Sequence, residues 1–346
     1  MGNSVEGLPA IQIKAVHPVV DDGEHNAFTD LARFRGRYYL CFRSCPEGHM
    51  LFTTSRIRVL VSDDGITGWT QVCEFGVPHR DVRDPHLLVF NGKLFVYSGT
   101  WLVAEDDRPR DCNDHLGFGA WTEDGDSWHG PRMLEGTYGH YVWHAAAHGG
   151  TAYLCGRRRR GFAPLPADGE DRRLLEGAML ASDDGLTWRT AGLFTEDYGN
   201  ETAFHFDEQG TVWALARGAE GVPARICRAA APYTDWERVN LDQDVGGPLL
   251  VQWGGGRWLV GGRRMTDPEN PRTVLWFAAP SGDSQTGAAA WTLHEAAELP
   301  SGGDNSYPGF VALDDERGLL SFYSSHEGSG RSVAPCHVYI AEISIS

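Results

Sequence analysis

The chain has 346 residues, with 47 acidic side chains against 30 basic ones and a formal charge of −17. That balance argues against a nucleic-acid backbone or an anionic membrane as partner, because both are bound through positive patches. A hydrophobic fraction of 41%, with 12 Trp, 11 Tyr and 15 Phe, excludes a disordered chain and leaves aromatic surface for both a core and a sugar-binding face.

Met1 to Val20 shows no basic segment followed by an apolar run, and no later stretch has the length of a membrane span. The expectation is a soluble, cytoplasmic chain. Ile11 to Val19 reads as a strand, followed by Ala27 to Phe34, Tyr38 to Arg43 and Ile57 to Ser62. The acidic turn Asp63-Asp64-Gly65 then leads to Trp69. Cys41 and Cys45 flank a strand-like segment with no second pair nearby, so they read as packing thiols rather than a zinc pair. With Cys73, Cys112, Cys155, Cys227 and Cys336 the cysteines are odd in number and irregularly spread, which fits reduced thiols and not a disulfide framework.

The first unit then repeats. Trp128, Trp188, Trp236 and Trp291 end comparable units 48 to 60 residues apart, the length of a propeller blade. Ser62-Asp63-Asp64-Gly65-Ile66-Thr67-Gly68-Trp69, Thr122-Glu123-Asp124-Gly125-Asp126-Ser127-Trp128 and Ser182-Asp183-Asp184-Gly185-Leu186-Thr187-Trp188 share one logic. An Asp carboxylate accepts backbone N–H groups within the turn, Gly supplies a positive φ, and Trp packs the hairpin onto the blade. These turns join outer strands, so their role is structural. Tyr307 to Leu313, Leu319 to Ser324 and Cys336 to Ile343 give a last unit of only three strands, and Ile11 to Val19 is expected to supply the fourth. The expected fold is all-β, a six-bladed β-propeller over residues 1–346 with the N-terminal strand closing the last blade.

In such a ring the pocket lies at one end of the axis, lined by residues that open the innermost strands or follow the second strands. The first set comprises His25, Asn26 and Asp30; Arg80, Asp81, Arg83 and Asp84; His140, Tyr141 and His144; Asn200 and Glu201; Gly246 and Gly247; Asp304, Asn305 and Tyr307. The second comprises Arg43, Glu47 and His49; Trp101; Arg157 to Arg160, for which a solvated loop is the other reading; Arg217; Arg263 and Arg264; and Ser325, His326 and Glu327. So many arginines in an acidic chain are a local reversal of sign, matched to an anionic or polyhydroxylated ligand. Salt bridges between blades are the other reading of the same arginines. Charge runs such as Arg157 to Arg160 commonly face solvent.

The acidic turns look like the Asp-boxes of the sialidase superfamily, and the blade rhythm covers essentially the whole chain. Asn200-Glu201-Thr202-Ala203-Phe204-His205-Phe206, followed by Ala214-Leu215-Ala216-Arg217, is similar to the sialidase segment that supplies a catalytic Glu and then a ligand-binding Arg. Ser306-Tyr307-Pro308-Gly309 resembles the segment bearing the nucleophilic Tyr. Pro271-Arg272-Thr273-Val274 resembles that of another clamp arginine, with Arg263 competing for the role. The resemblance implies Tyr307 as nucleophile, Glu201 as its base, and Arg217 and Arg272 or Arg263 on the substrate. A phenol with a pKa near 10 needs such a base at neutral pH.

The resemblance breaks in blade one. His25-Asn26-Ala27-Phe28-Thr29-Asp30 stands where a sialidase carries the first clamp arginine, so Arg43 or Arg83 would have to replace that charge. The sialidase acid falls at Pro46-Glu47-Gly48-His49, where Glu47 or His49 would serve. The segment His25 to Asp30, with Arg83-Asp84-Pro85 and Tyr323-Ser324-Ser325-His326-Glu327-Gly328, resembles uncharacterised sialidase-like glycosyl hydrolases. The leading expectation is a glycosidase acting on a terminal acidic sugar, a small-molecule or glycan substrate, without cofactor or metal. Two alternatives stand beside it. One is a His- or metal-dependent lyase on uronate-containing glycans, with His25, His49, His144 and His326 near the inner rim and able to converge on a metal; the other is a propeller that binds or tailors a small molecule without hydrolysis.

Overall fold

The computed structural model describes residues 8–103, 109–167, 169, 171–219, 221–267, 269–282, 289–327 and 335–346; Gly328 of the last motif lies outside them. Strand β1 (Ile11–Val20) comes first. Blade one holds β2 (His25–Phe34), β3 (Arg37–Cys45), β4 (Arg56–Ser62) and β5 (Thr70–Phe75). Blade two holds β6 (Arg80–Phe90), β7 (Lys93–Leu102), β8 (Leu116–Thr122) and β9 (Trp128–Met133), and blade three β10 (Tyr141–His148), β11 (Thr151–Arg159), β12 (Leu175–Ser182) and β13 (Arg189–Thr195). Blade four holds β14 (Thr202–Phe206), β15 (Val212–Ala216), β16 (Arg225–Ala229) and β17 (Glu237–Asn240), and blade five β18 (Val245–Trp253), β19 (Arg257–Arg264), β20 (Arg272–Gly282) and β21 (Ala289–Glu298). Blade six is β22 (Asn305–Ala312), β23 (Arg317–Ser324) and β24 (His337–Ile345), completed by β1 on the outside. The fold is a six-bladed β-propeller closed by its N-terminal strand, with Ile11 opposite Ile345 and Val20 opposite Val338.

Middle strands are buried on both faces because each blade packs against the next. All of β12 and nearly all of β3 are buried, and shared apolar clusters such as Cys41, Val59, Leu87 and Val96 join blades one and two. The acidic turns take the expected form. Asp64 Oδ1 accepts the amides of Ile66 (2.8 Å) and Thr67 (2.7 Å), Gly65 has φ +77°, and the Asp124 and Asp184 turns repeat the pattern. The tryptophans do not end the units, however. Trp69, Trp128, Trp188 and Trp236 stand at the entrance to β5, β9, β13 and β17, and Trp291 lies within β21. These outer strands, such as Thr70–Phe75, are half exposed and carry little apolar pattern. No disulfide joins two of the cysteines among the described residues.

Of the run Arg157 to Arg160, only Arg160 is exposed and outside a strand. Arg157 to Arg159 belong to β11, paired with β12, and Arg159 is fully buried with Asp111 at 2.9 Å. Glu176 and Asp111 supply the partners that make this run of charge tolerable inside the protein.

The innermost strands β2, β6, β10, β14, β18 and β22 stand side by side around the axis, β22 returning to β2. Five of the six carry one extra residue relative to the second strand of their blade. Each bulge holds a residue at positive φ, Phe28 (φ 61°), Asp84 (50°), His144 (31°), Gly247 (56°) and Tyr307 (51°), the last preceded by Ser306 (102°). A bulge swings its side chain out of the alternating pattern of the strand, and the non-glycine residues held at positive φ mark this ring of positions as strained.

Candidate active site

Tyr307, on the β22 bulge, is buried and donates its hydroxyl to Glu201 Oε1 at 2.6 Å. Glu201 immediately precedes β14, across the axis. Its other oxygen accepts Arg217 Nη1 (2.9 Å) and the amide of Gly247 (3.0 Å). Gly247 has to be glycine here: a Cβ would lie 2.5 Å from Tyr307 Cδ2. Burial and the neighbouring Glu201 charge hold the Tyr307 phenol well above its ordinary range. Burial works against the Glu201 charge as well, but Arg217, the Tyr307 hydroxyl and the Gly247 amide outweigh it and bring that carboxyl below its usual value. The result is a neutral phenol hydrogen-bonded to an ionised carboxylate, the arrangement a base-assisted nucleophile requires.

Asp84 occupies the same bulge position two blades on, 5% exposed. Its Oδ2 accepts the Tyr141 hydroxyl, and its Oδ1 has no partner. Burial and the charge of Glu201 push its carboxyl above the ordinary value, against the pull of Arg83. Arg83 is committed elsewhere, with Nε on Asp81 (2.7 Å) and Nη2 on the His49 carbonyl (2.7 Å), and it lies 5.5 Å above the Phe28 ring. Arg263 lies 5.6 Å over the Tyr307 ring and binds Asn305 O, Asp304 Oδ1 (3.1 Å) and the Tyr323 hydroxyl (2.9 Å). Arg157 stacks on Tyr141 (5.2 Å) and Trp101 (5.8 Å). Together these groups line a cavity of about 270 Å³ in which four arginines face two carboxylates. A wider depression of about 630 Å³ adjoins it, sharing Arg217 and reaching Asn200, Asp244 and Met265.

Seven of the fourteen sequence candidates reach this cavity: Tyr307, Glu201, His49, Arg83, Asp84, Arg217 and Arg263. The structure does not bring the other seven there. Glu47 is exposed and bound to Thr54 and Cys45. Arg43 is fully buried, tied to Asp81 (2.6 Å) and to the carbonyls of Gly48 and Met50. Asn26 holds Asp22 (2.7 Å), and Asp30 caps the amides of Leu31 and Leu87, bridging β2 to β6. His144 shares the bulge position yet packs against Phe204 and His86, and burial lowers its pKa well below the ordinary value. Arg272 turns to Ser301 O (2.8 Å) and Glu298, and of the two competing arginines Arg263 lines the cavity. His326 is exposed and bonds Ser324. Trp101, Tyr141 and Arg157, rim positions in the sequence, line the cavity too, and Phe28 lines it without having been singled out.

The four histidines of the metal alternative do not converge. His25 and His49 meet Asp304 instead, His25 Nε2 at 2.8 Å and His49 Nδ1 at 2.6 Å from the same oxygen, and these are the residues that could hold an ion. A hydrogen-bonded hub fits them better than an ion. His25 Nδ1 is buried without a partner, which suits a bare lone pair, whereas a metal on Nε2 would leave an unsatisfied N–H there.

No protein-family model and no curated protein sequence matches the chain. Among solved structures it is similar to a protein of unknown function from Dyadobacter fermentans, with TM-score 0.75 and 19% identity over 98% of this chain and 100% of that one. It is also similar to Trypanosoma rangeli sialidase in complex with the inhibitor DANA, with TM-score 0.64 and 14% identity over 95% of this chain and 58% of that one. A third is phage phi92 endosialidase, with TM-score 0.63 and 9% identity over 96% of this chain and 69% of that one. The chain therefore spans little more than half the length of the trypanosomal sialidase, and the likeness at these identities is one of fold.

Proposed function

We propose that the chain is a sialidase-like exo-glycosidase that cleaves a terminal acidic sugar through a covalent intermediate on Tyr307. The observation that carries this reading is the 2.6 Å hydrogen bond from Tyr307 to Glu201 beneath a cavity walled by four arginines. Attack by the phenol transfers its proton to Glu201, so no negative charge approaches an anomeric centre that bears or adjoins a carboxylate. Arg217 is held by Glu201 and Arg263 by Asp304, so the cations next to the nucleophile are fixed before the ligand arrives. Arg157, stacked between aromatic faces, stands on the far wall to receive the acid group or a ring hydroxyl. The adjoining depression beyond Arg217 would receive the departing group.

The test is trapping. A 3-fluoro glycosyl fluoride of an acidic sugar, incubated with the wild type, should add its glycosyl mass to the peptide that contains Tyr307, and Tyr307→Phe should neither be labelled nor turn over aryl glycosides. Turnover that survives Tyr307→Phe, or a label on another side chain, would overturn the proposal.

A further inference from the structure

Three of the four cavity arginines are already matched by carboxylates. Arg83 holds Asp81 (2.7 Å), Arg217 holds Glu201 (2.9 Å) and Arg263 holds Asp304 (3.1 Å). Arg157 differs: among the described residues it has no carboxylate partner, and its one hydrogen bond is a long one, from Nη1 to Asn200 Oδ1 at 3.3 Å. Its side chain is half-buried over the rings of Tyr141 (5.2 Å) and Trp101 (5.8 Å). Against those same rings packs His115, fully buried, 4.1 Å from Trp101 and 5.0 Å from Tyr141. Burial and the Arg157 and Arg80 charges keep that imidazole neutral, its pKa well below the ordinary value. The aromatic faces offset part of the cost of taking a cation out of water. Yet in a chain of formal charge −17 this arginine is left without a counter-ion.

The place of that unmatched cation bears on the substrate. Arg157 belongs to β11 of blade three and Tyr307 to β22 of blade six, and in a ring of six those two blades stand opposite each other. The arginines nearest the phenol are the compensated ones, Arg217 with Nη1 3.5 Å from its oxygen and Arg263 over its ring. We infer that Arg157 anchors the acid group of the substrate and that the terminal sugar is a hexuronic acid, a reading that rests on Tyr307 as the nucleophile. A hexuronic acid carries its carboxylate on the ring carbon across the ring oxygen from the anomeric carbon, whereas a sialic acid carries it on the anomeric carbon itself. With Tyr307 at the anomeric carbon, a sialic acid would set its carboxylate among cations that already have carboxylates, and a hexuronic acid turns its own toward the opposite wall. There the Nη1 and Nη2 pair of Arg157 matches the two oxygens of a carboxylate. Arg157 is thus a specificity-determining residue, remote from the bond that breaks.

The experiment compares sugars and then removes the anchor. The 4-nitrophenyl glucuronides and galacturonides, each as both anomers, are set against the matching neutral hexosides and the 4-nitrophenyl ketoside of N-acetylneuraminic acid. Wild type should turn over one of the hexuronides, with kcat/KM above that for the matching hexoside and for the ketoside by roughly 10–100-fold, the worth of one charged hydrogen-bonded contact. In Arg157→Gln the preference for hexuronide over hexoside should collapse to about one, through KM rather than kcat, and Arg157→Lys should restore part of it. The wild-type comparison does not depend on any variant folding. A preference for the ketoside, no preference for the hexuronide over the hexoside, or an Arg157→Gln loss that is equal on both would overturn the inference while leaving Tyr307 as nucleophile. Calorimetric titration with free glucuronic and galacturonic acids separates this inference from the glycosidase reading. If no glycoside is cleaved but one of the acids binds wild type at least tenfold more tightly than Arg157→Gln, the glycosidase reading fails and the anchor stands. If no hexuronide is cleaved and neither acid binds, the inference itself fails.

Discussion

Gly247→Ala is a test of how tightly Tyr307, the proposed nucleophile, is held. Gly247 lies at φ +56°, donates its amide to Glu201 and leaves its α-carbon against the Tyr307 ring. An added methyl would come within 2.5 Å of Cδ2 and 2.7 Å of Cε2 and Cγ. Carbon atoms settle at about 3.5–4.0 Å, so the ring must retreat by roughly 1 Å. Its other sides are already taken by Phe28 at 4.9 Å and Tyr323 at 5.9 Å, and the interaction with most to lose is the 2.6 Å bond to Glu201. A 1 Å misplacement costs about a hundredfold in rate, and alanine at positive φ costs about 1–2 kcal/mol. Gly247→Ala should therefore remain folded at 25 °C, melt somewhat earlier and lose about two orders of magnitude in kcat/KM on aryl glycosides. In a crystal structure Tyr307 Oη should lie beyond the roughly 3.2 Å reach of Glu201. A variant with wild-type turnover and an unmoved Tyr307 would refute the reasoning.

Three further outcomes can be measured. Burial works against the Asp304 charge, but hydrogen bonds from His25 and His49 and the Arg263 cation outweigh it and hold the carboxyl well below its usual value. A depressed carboxylate contributes its stability above the unfolded pKa of about 3.9 and loses it as pH falls toward the folded value. Asp304→Asn should thus be less stable at pH 7 by roughly 3–5 kcal/mol, with a shallower fall below about pH 4; an acid slope equal to the wild type's would refute this. Arg157→Met should weaken binding of an acidic sugar by tenfold or more, a charged hydrogen bond being worth about 1.5–3 kcal/mol, and spare a neutral analogue; equal loss for both in titration calorimetry would make Arg157 a packing residue only. Glu47→Gln should shift stability by no more than about 0.5 kcal/mol and leave turnover at the wild-type level, whereas a hundredfold drop would return Glu47 to the site.

The ring was legible because its turns are local. Ser62 to Trp69 states a complete hydrogen-bonding scheme in eight residues, and a last unit one strand short points to Ile11 to Val19. The outer strands were illegible for the opposite reason: Glu237–Asn240 has neither length nor alternation. Glu201 and Tyr307 could be found because they sit in recognisable segments, and the structure brings them together. Arg263 and Arg272 could not be told apart in the sequence. They lie on neighbouring strands in nearly the same register, Arg263 opposite Thr273 and Arg264 opposite Arg272, and one strand spacing of about 4.8 Å from the axis decides which reaches the cavity. Four consecutive arginines look like a solvated run until strand alternation divides them, Arg157 and Arg159 to one side and Arg158 to Glu176 on the other. The bulges left no trace at all. Nothing in the sequence marks Phe28 or Asp84 as left-handed, so Arg43 and His144 looked as well placed as the residues that do reach the cavity.

The pairing of β1 with β24 sets the order of events during synthesis. Five blades are each complete from one continuous stretch of chain and can form as it emerges, but the sixth needs residues 11–20 and 337–345 at once. Until then the edge of β24 has no neighbour, an open template for pairing with another chain. Tyr307 lies in that same last blade. The proposed nucleophile therefore belongs to the last blade to be completed, and a ribosome-bound or terminally clipped molecule would present Arg157, Arg217 and Glu201 before that blade is closed.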